Sequence, residues 1–220
     1  SFAALVTAAD EAGILVIRNG VVGNNTRRKL DVGEFRGFAV ADALAPLVFI
    51  NSADAPKARL FTLAHELAHI WLGSSGISNQ PHAASRHEER FCNAVAGEFL
   101  VPERAIRVLW NSTLEWRENI SRLIGVFHVS NLVIARRARD LGLLDDATHR
   151  AYYLAELETF RNKPSSKGGG YNTFKARNGT QFSLAVVRET LSGRLLLRDA
   201  GRLLGLQPSK IRAYAKEFKL

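Results

Sequence analysis

A chain of 220 residues, 46% of them apolar, is long enough for a substantial core and holds one extended domain or two small ones. No apolar run approaches the ~20 residues that cross a bilayer, and the single cysteine, Cys92, excludes an internal disulfide; both features point to the cytoplasm and away from a membrane partner. The net charge of +9 is concentrated at one end, since residues 161–220 hold 13 Lys and Arg against 3 Asp and Glu, while residues 1–160 hold 17 against 18.

The first segment, FAALVTAADEAG (2–13), repeats its apolar residues at helical spacing and stops on Gly13. The sequence has no methionine, and this opening implies a trimmed start with room upstream for another domain. ILVIRNG (14–20) reads as a strand running into an Asn19-Gly20 turn, and NNTRRKLDVGE (24–34) reads as polar loop. GFAVAD (37–42) and PLVFINS (46–52) are two more β-leaning runs, so residues 14–52 predict a small sheet. From Pro56, a suitable first helical residue, KARLFTLAHELAHIWLG continues unbroken to Gly73. SSGISNQPHAASR (74–86) reads as loop, and HEERFCNAVAGEFLVP as a helix stopped before Pro102, with a short helix from there to Trp110. Residues 113–144 predict two helices broken near His128-Val129-Ser130, and 145–161 one more. RNKPSSKGGG (161–170) reads as a linker, followed by a trio of short helices.

Chemistry is concentrated in FTLAHELAHIWLG (61–73). Positions i and i+4 share one helix face, so His65 and His69 can present imidazole nitrogens to one metal ion. Glu66 lies about 100° round the helix, beside such a metal but not on it, where it can move a proton between a metal-bound water and a leaving amine. Three polar residues are costly to bury in so apolar a helix without a partner such as a metal. A catalytic zinc takes three protein ligands and keeps one position open. The downstream candidates for the third ligand are His82, His87, Glu88, Glu89 and Glu98. His82 falls in the loop, Glu88 and Glu98 read as surface charges, and Cys92 reads as a small core residue. His87 and Glu89 both remain as serious candidates. Glu89 has Asn93 one turn on, whose amide oxygen would accept the outer N–H of a ligating histidine.

FTLAHELAHIWLG followed by EERFCNAVAGEFLVP resembles the ImmA/IrrE family of zinc metallo-endopeptidases, with their HExxH helix, downstream glutamate ligand and closing VP. With Pro102 set on the family's proline, the resemblance implies His65, His69 and Glu89 as Zn²⁺ ligands, Glu66 as the catalytic acid/base and Asn93 in support of a ligand. Two mild departures, Val95 for a usual Phe and Gly97 for a usual Ala, concern packing. RGFAVADALAPLVFIN is similar to the family's small sheet, FHVSNLVIARRARDLGLL to its helix-turn-helix-like segment, and the tail to an extension found in longer members. The implied fold is α+β: a small twisted mixed β-sheet packed on the metal helix, then a mainly helical lobe and a basic helical extension. The corresponding units are a peptidase core at 1–110, a helix-turn-helix-like lobe at 111–160 and the extension at 161–220. PLVFIN (46–51) is the candidate sheet edge for pairing with a substrate strand.

The resemblance further implies regulatory proteolysis of a helix-turn-helix repressor or antitoxin, relieving control of stress-response or mobile-element genes. It also implies an antitoxin-type helix-turn-helix domain upstream in longer relatives. The competing function is a DNA-binding regulator whose peptidase-like core is structural or inactive. Two segments carry it: 119–142, with Arg136, Arg137 and Arg139, and 198–218, with Lys210, Arg212 and Lys216. The basic stretch 161–220 is the candidate DNA contact.

Overall fold

The first helix, α1 (Phe2–Glu11), starts where the Ser1 hydroxyl accepts the Ala4 N–H at 3.3 Å, and the chain leaves it through Gly13 at φ 81°. The structure, a computed structural model, describes residues 1–23, 25–77, 86–161 and 177–220. Among the described residues the strands are β1 (Leu15–Asn19), β2 (Val21–Val22), β3 (Asn25–Lys29), β4 (Gly37–Val40), β5 (Leu47–Asn51) and β6 (Gly76–Ile77). Four of them form a mixed sheet in the order β1-β5-β4-β6, with β1 parallel to β5 and β4 antiparallel to both its neighbours.

Two expectations change here. PLVFIN is not an edge: β5 is bonded to β1 on one side and β4 on the other. Its Val48 and Ile50 are fully buried, as suits an inner strand, and strand order in space does not follow order in the chain. The outer strand on the other side of β4 is β6, which pairs with it at Phe38 and Ala39. Residues 25–29, expected as loop, form β3 in a separate hairpin with β2. All five residues of β3 are exposed, so the apolar alternation that betrays a half-buried strand is missing.

Helix α2 (Pro56–Leu72) begins on proline and ends at Gly73, whose φ of 67° lets the Ser74 N–H reach the His69 carbonyl at 3.0 Å. Ala9, Ile14, Val16, Val48, Ile50, Leu63 and Leu67 form one buried cluster that joins α1, the sheet and α2. Gly37 marks the closest approach. A Cβ there would stand 2.8 Å from Thr62 Cγ2, 2.9 Å from the Phe49 carbonyl oxygen and 3.0 Å from Glu66 Oε1.

Five helices follow: α3 (Arg86–Leu100), α4 (Glu103–Leu109), α5 (Trp116–Phe127), α6 (Asn131–Asp140) and α7 (Asp146–Arg161). The break between α5 and α6 is a left-handed His128 at φ 55°, then Ser130, whose hydroxyl accepts the Val133 N–H at 3.3 Å. Fully buried Asn119 ties α5 back to the end of α4, accepting the Asn111 N–H at 2.9 Å and donating to its carbonyl at 2.8 Å. The buried cluster of this lobe runs from Leu60 on α2 through Val101, Ile106, Ile120 and Leu123 to Ile134 and Leu144. It crosses position 110, where a unit boundary was expected.

The last unit is α8 (Thr180–Leu191), α9 (Leu197–Leu204) and α10 (Ile211–Ala215), the last flanked by 3₁₀ turns. Val187, Ala200, Leu204 and Ile211 are fully buried in its own cluster. It meets the rest of the chain at Gly179 (φ 74°), where a Cβ would stand 2.7 Å from the Val16 carbonyl oxygen of β1. Beside this contact, burial pushes the Asp10 carboxyl above its ordinary value, against a hydrogen bond from the Thr180 backbone N–H. The expected linker at 161–170 lies, beyond Arg161, outside the described residues. Among the described residues no helix is long and apolar enough to cross a membrane.

Candidate metal centre

The apolar residues of α2 turn residues 62–69 inward, and this buries the polar ones among them. His65 is 4% exposed, His69 1% and Glu66 0%. Helix α3 packs across α2 through Cys92 and Ala96, both fully buried, which brings its first turn over the two imidazoles. The Glu89 carboxylate spans them, with Oε2 3.3 Å from His65 Nε2 and Oε1 3.3 Å from His69 Nε2. The two Nε2 atoms are 3.2 Å apart.

These three separations provide a direct test of fit. Ligands about 2.0–2.1 Å from a tetrahedral ion lie about 3.3–3.4 Å from one another. The two Nε2 atoms have about that spacing, and the Glu89 carboxylate offers each of them a different oxygen at about the same distance. Two imidazoles and a carboxylate are also a donor set that zinc accepts with a fourth position open. Among the described residues, His65, His69 and Glu89 are the only such group of His, Cys, Asp or Glu ligand atoms. Without a metal the three hold one another. Hydrogen bonds from His65 and His69 draw the Glu89 carboxyl down to about 2, and the bond to Glu89 raises His69 above its ordinary value against the effect of burial.

The other candidate ligands are accounted for. His87 is exposed, and Glu98 bonds Arg137 and the Glu103 N–H. His82 lies outside the described residues. Glu88 does not join the cluster. Burial, reinforced by the charges of Glu89, Glu66 and Glu88, pushes the Cys92 thiol up to about 11, and Cys92 does not join the cluster. Asn93 lines the cavity beside Glu89, but the bond expected from it is not formed: both histidine Nδ1 atoms are buried without a hydrogen-bond partner.

A cavity of about 620 Å³ opens onto the cluster. His65, Glu89, Asn93, Phe61 and Thr62 form one side, and Arg36 comes from the residue before β4. The far wall is built by α6 and α7, with Arg136, Arg139, His149, Arg150 and Tyr153. Sequence reasoning assigned none of these wall residues to the site. The competing DNA-binding reading offered the α6 arginines as candidate phosphate contacts; in the structure one of them is buried and two line the cavity. Arg137 is buried, donating to the Val101 carbonyl at 3.0 Å and to Glu98, while Arg136 and Arg139 line the cavity. Arg137 also covers Gly97, where an added Cβ would make ordinary contact at 3.6 Å, so the family's usual alanine fits there.

A family model described as the IrrE N-terminal-like domain, of a peptidase family, matches residues 9–139. Residues 178–217 match a second family, described only as a domain of unknown function. The radiation response metalloprotease IrrE of Deinococcus radiodurans is 39% identical over 67 residues, which cover 27% of this chain and 20% of that protein. The chain therefore spans about a fifth of the length of this curated relative. No solved structure matches at the same level of significance. With more than half its length matched, and all three residues of the cluster inside the match, the chain belongs to the IrrE N-terminal-like domain family, a family of metallopeptidases.

Proposed function

We propose that this protein is a zinc-dependent endopeptidase that makes a regulatory cut in a protein substrate. The observation that carries this reading is the spacing of 3.2–3.3 Å among His65 Nε2, His69 Nε2 and the Glu89 carboxylate oxygens. These three residues would hold the ion, and bound there zinc would lower the pKa of a water and polarise the scissile carbonyl. Glu66, next to a ligand and fully buried, takes the proton from the attacking water and delivers it to the leaving amine nitrogen. Glu89 holds its place through α3, and Gly37 leaves room for the Glu66 carboxylate against β4. The cavity lies between the His65 and Glu89 side of the cluster and the α6–α7 wall, where an extended peptide would present its carbonyl to the ion.

The substrate we propose is a helix-turn-helix repressor or antitoxin in the cytoplasm. Family membership and the relative's name, a radiation response metalloprotease, support a regulatory substrate. The test is cleavage of candidate repressors by the zinc-loaded chain and by Glu66→Gln. The variant keeps zinc and loses cleavage by at least ~10²-fold, the usual scale for a general acid/base. Cleavage at the wild-type rate by Glu66→Gln would refute the role of Glu66.

A second reading concerns residues 178–220. Arg198 and Arg202 on α9 are 68% and 76% exposed at the side chain, and their only ion-pair partner among the described residues is Asp199. This favours contact with a polyanion such as duplex DNA. Binding that falls steeply with salt, and disappears when 161–220 is deleted, supports it; unchanged affinity of the deleted chain refutes it.

A further inference from the structure

The cavity beside the metal cluster carries more positive charge than a metallopeptidase needs to hold its ion. Arg36, Arg136, Arg139 and Arg150 line it, against Glu89 and Asp146. A divalent ion on the cluster would offset Glu89 and leave the cavity more cationic still. Two of these guanidiniums are held closely by carboxylates. Arg36 pairs with Asp54 at 3.5 Å, and Arg139 contacts Asp140 and Asp146.

Arg136 differs from them. Its Nε is buried without a hydrogen-bond partner, and its nearest carboxylate oxygen, on Asp140, is 3.9 Å away, beyond hydrogen-bond reach. The guanidinium lies over the Phe61 ring at 5.5 Å, and that ring in turn stacks on His65 at 6.4 Å. Arg136 is thus held on the cavity wall within about 12 Å of a metal ligand, one aromatic ring away. Burial lowers its pKa, against attraction from Asp140, with the side chain still 35% exposed. Its neighbour Arg137 is spent on the Val101 carbonyl and Glu98. A planar cation on the cavity wall, whose ion pair with Asp140 is long, fits the bidentate geometry of a carboxylate.

We propose that Arg136 is a specificity residue that recognises a substrate carboxylate within about four residues of the cut bond, since an extended chain advances ~3.3 Å per residue. The proposal rests on the peptidase reading above. The carboxylate has two sources, an acidic side chain or the free C-terminus of the peptide, and Arg150, without an ion pair among the described residues, adds charge for either.

Two measurements on the full zinc-loaded chain decide it. In the first, a proteome-derived peptide mixture is digested and the cut sites are read by mass spectrometry. The expected result is enrichment of Asp and Glu at one position near the cut, or of cuts near free C-termini that vanish when the peptides are amidated. Arg136→Gln removes that enrichment and Arg136→Lys keeps part of it. Cuts with no carboxylate preference, or a preference unchanged in Arg136→Gln, overturn the proposal while leaving the peptidase reading intact. In the second, alanine hexapeptides are bound to Glu66→Gln protein: amidated with one glutamate, amidated with glutamine in its place, and all-alanine with a free C-terminus. Either carboxylate peptide is expected to bind about tenfold tighter than the neutral one, with the gap closed by Arg136→Gln. Equal binding overturns the proposal. If nothing is cut in the first experiment the peptidase reading fails, and the second alone decides whether Arg136 holds a carboxylate.

Discussion

Gly37 shows how little room the site leaves. Three atoms, one of them Glu66 Oε1, stand within 3.0 Å of the position a Cβ would take. Gly37→Ala therefore forces β4 and α2 apart or displaces the Glu66 carboxylate. The expected cost is ~1–3 kcal/mol of stability, as for other overpacked sites, together with a fall in kcat. Thermal melting and cleavage rates measure both effects; a variant with wild-type melting and turnover would show that Glu66 is not held against this strand. At this scale the sequence was most legible where chemistry is local. Four-residue spacing on one helix determines that His65 and His69 share a face. Two candidates for the third ligand survived because His87 and Glu89 lie on the same turn, and only the seating of α3 on Cys92 and Ala96 turns one inward and leaves the other exposed. The place of Arg136 on the cavity wall went unread for the matching reason. A helix face is legible in the chain, but its neighbour is not.

Between elements, the α2–α3 contact links protons to the metal. In the metal-free protein the depressed Glu89 contributes stability above its ordinary 4.5 and loses it as pH falls toward about 2. The raised His69 contributes below its ordinary 6.5 and loses it as pH rises through its folded value. Together they favour the metal-free fold most between about 4.5 and 6.5. Zinc instead requires both imidazoles deprotonated, so its stabilisation grows as pH rises. Scanning calorimetry should show the gap in Tm between zinc-loaded and metal-free protein widening from pH 6 to 8; a gap independent of pH would mean that the histidines are not the ligands. The strand order is the part that chain order conceals. β5 follows β4 directly yet is flanked by β1 as well, and β3 has no buried face to announce it.

Across the whole molecule, two buried clusters meet on α1 and α2, and the helices of 178–220 have a third of their own. The junction of that last unit with β1 is narrow at Gly179, where φ is 74° and the Val16 carbonyl leaves no space for a Cβ. Gly179→Ala is expected to destabilise this junction by ~1–3 kcal/mol. Amide hydrogen exchange should then speed up in β1 and around 178–183, while the metal centre stays protected. Faster exchange at α2 instead would mean that the units are not separable. Such a contact, between residues far apart in the chain, leaves no local trace to read in advance.

The central claim, that His65, His69 and Glu89 form a zinc site worked by Glu66, is tested most directly by the zinc content of the purified 220-residue chain and three variants. The account predicts about one zinc per chain in the wild type and in Glu66→Gln, and loss of that zinc in His69→Ala and Glu89→Gln. Full zinc in folded Glu89→Gln, or none in a folded wild-type chain supplied with zinc, would contradict it.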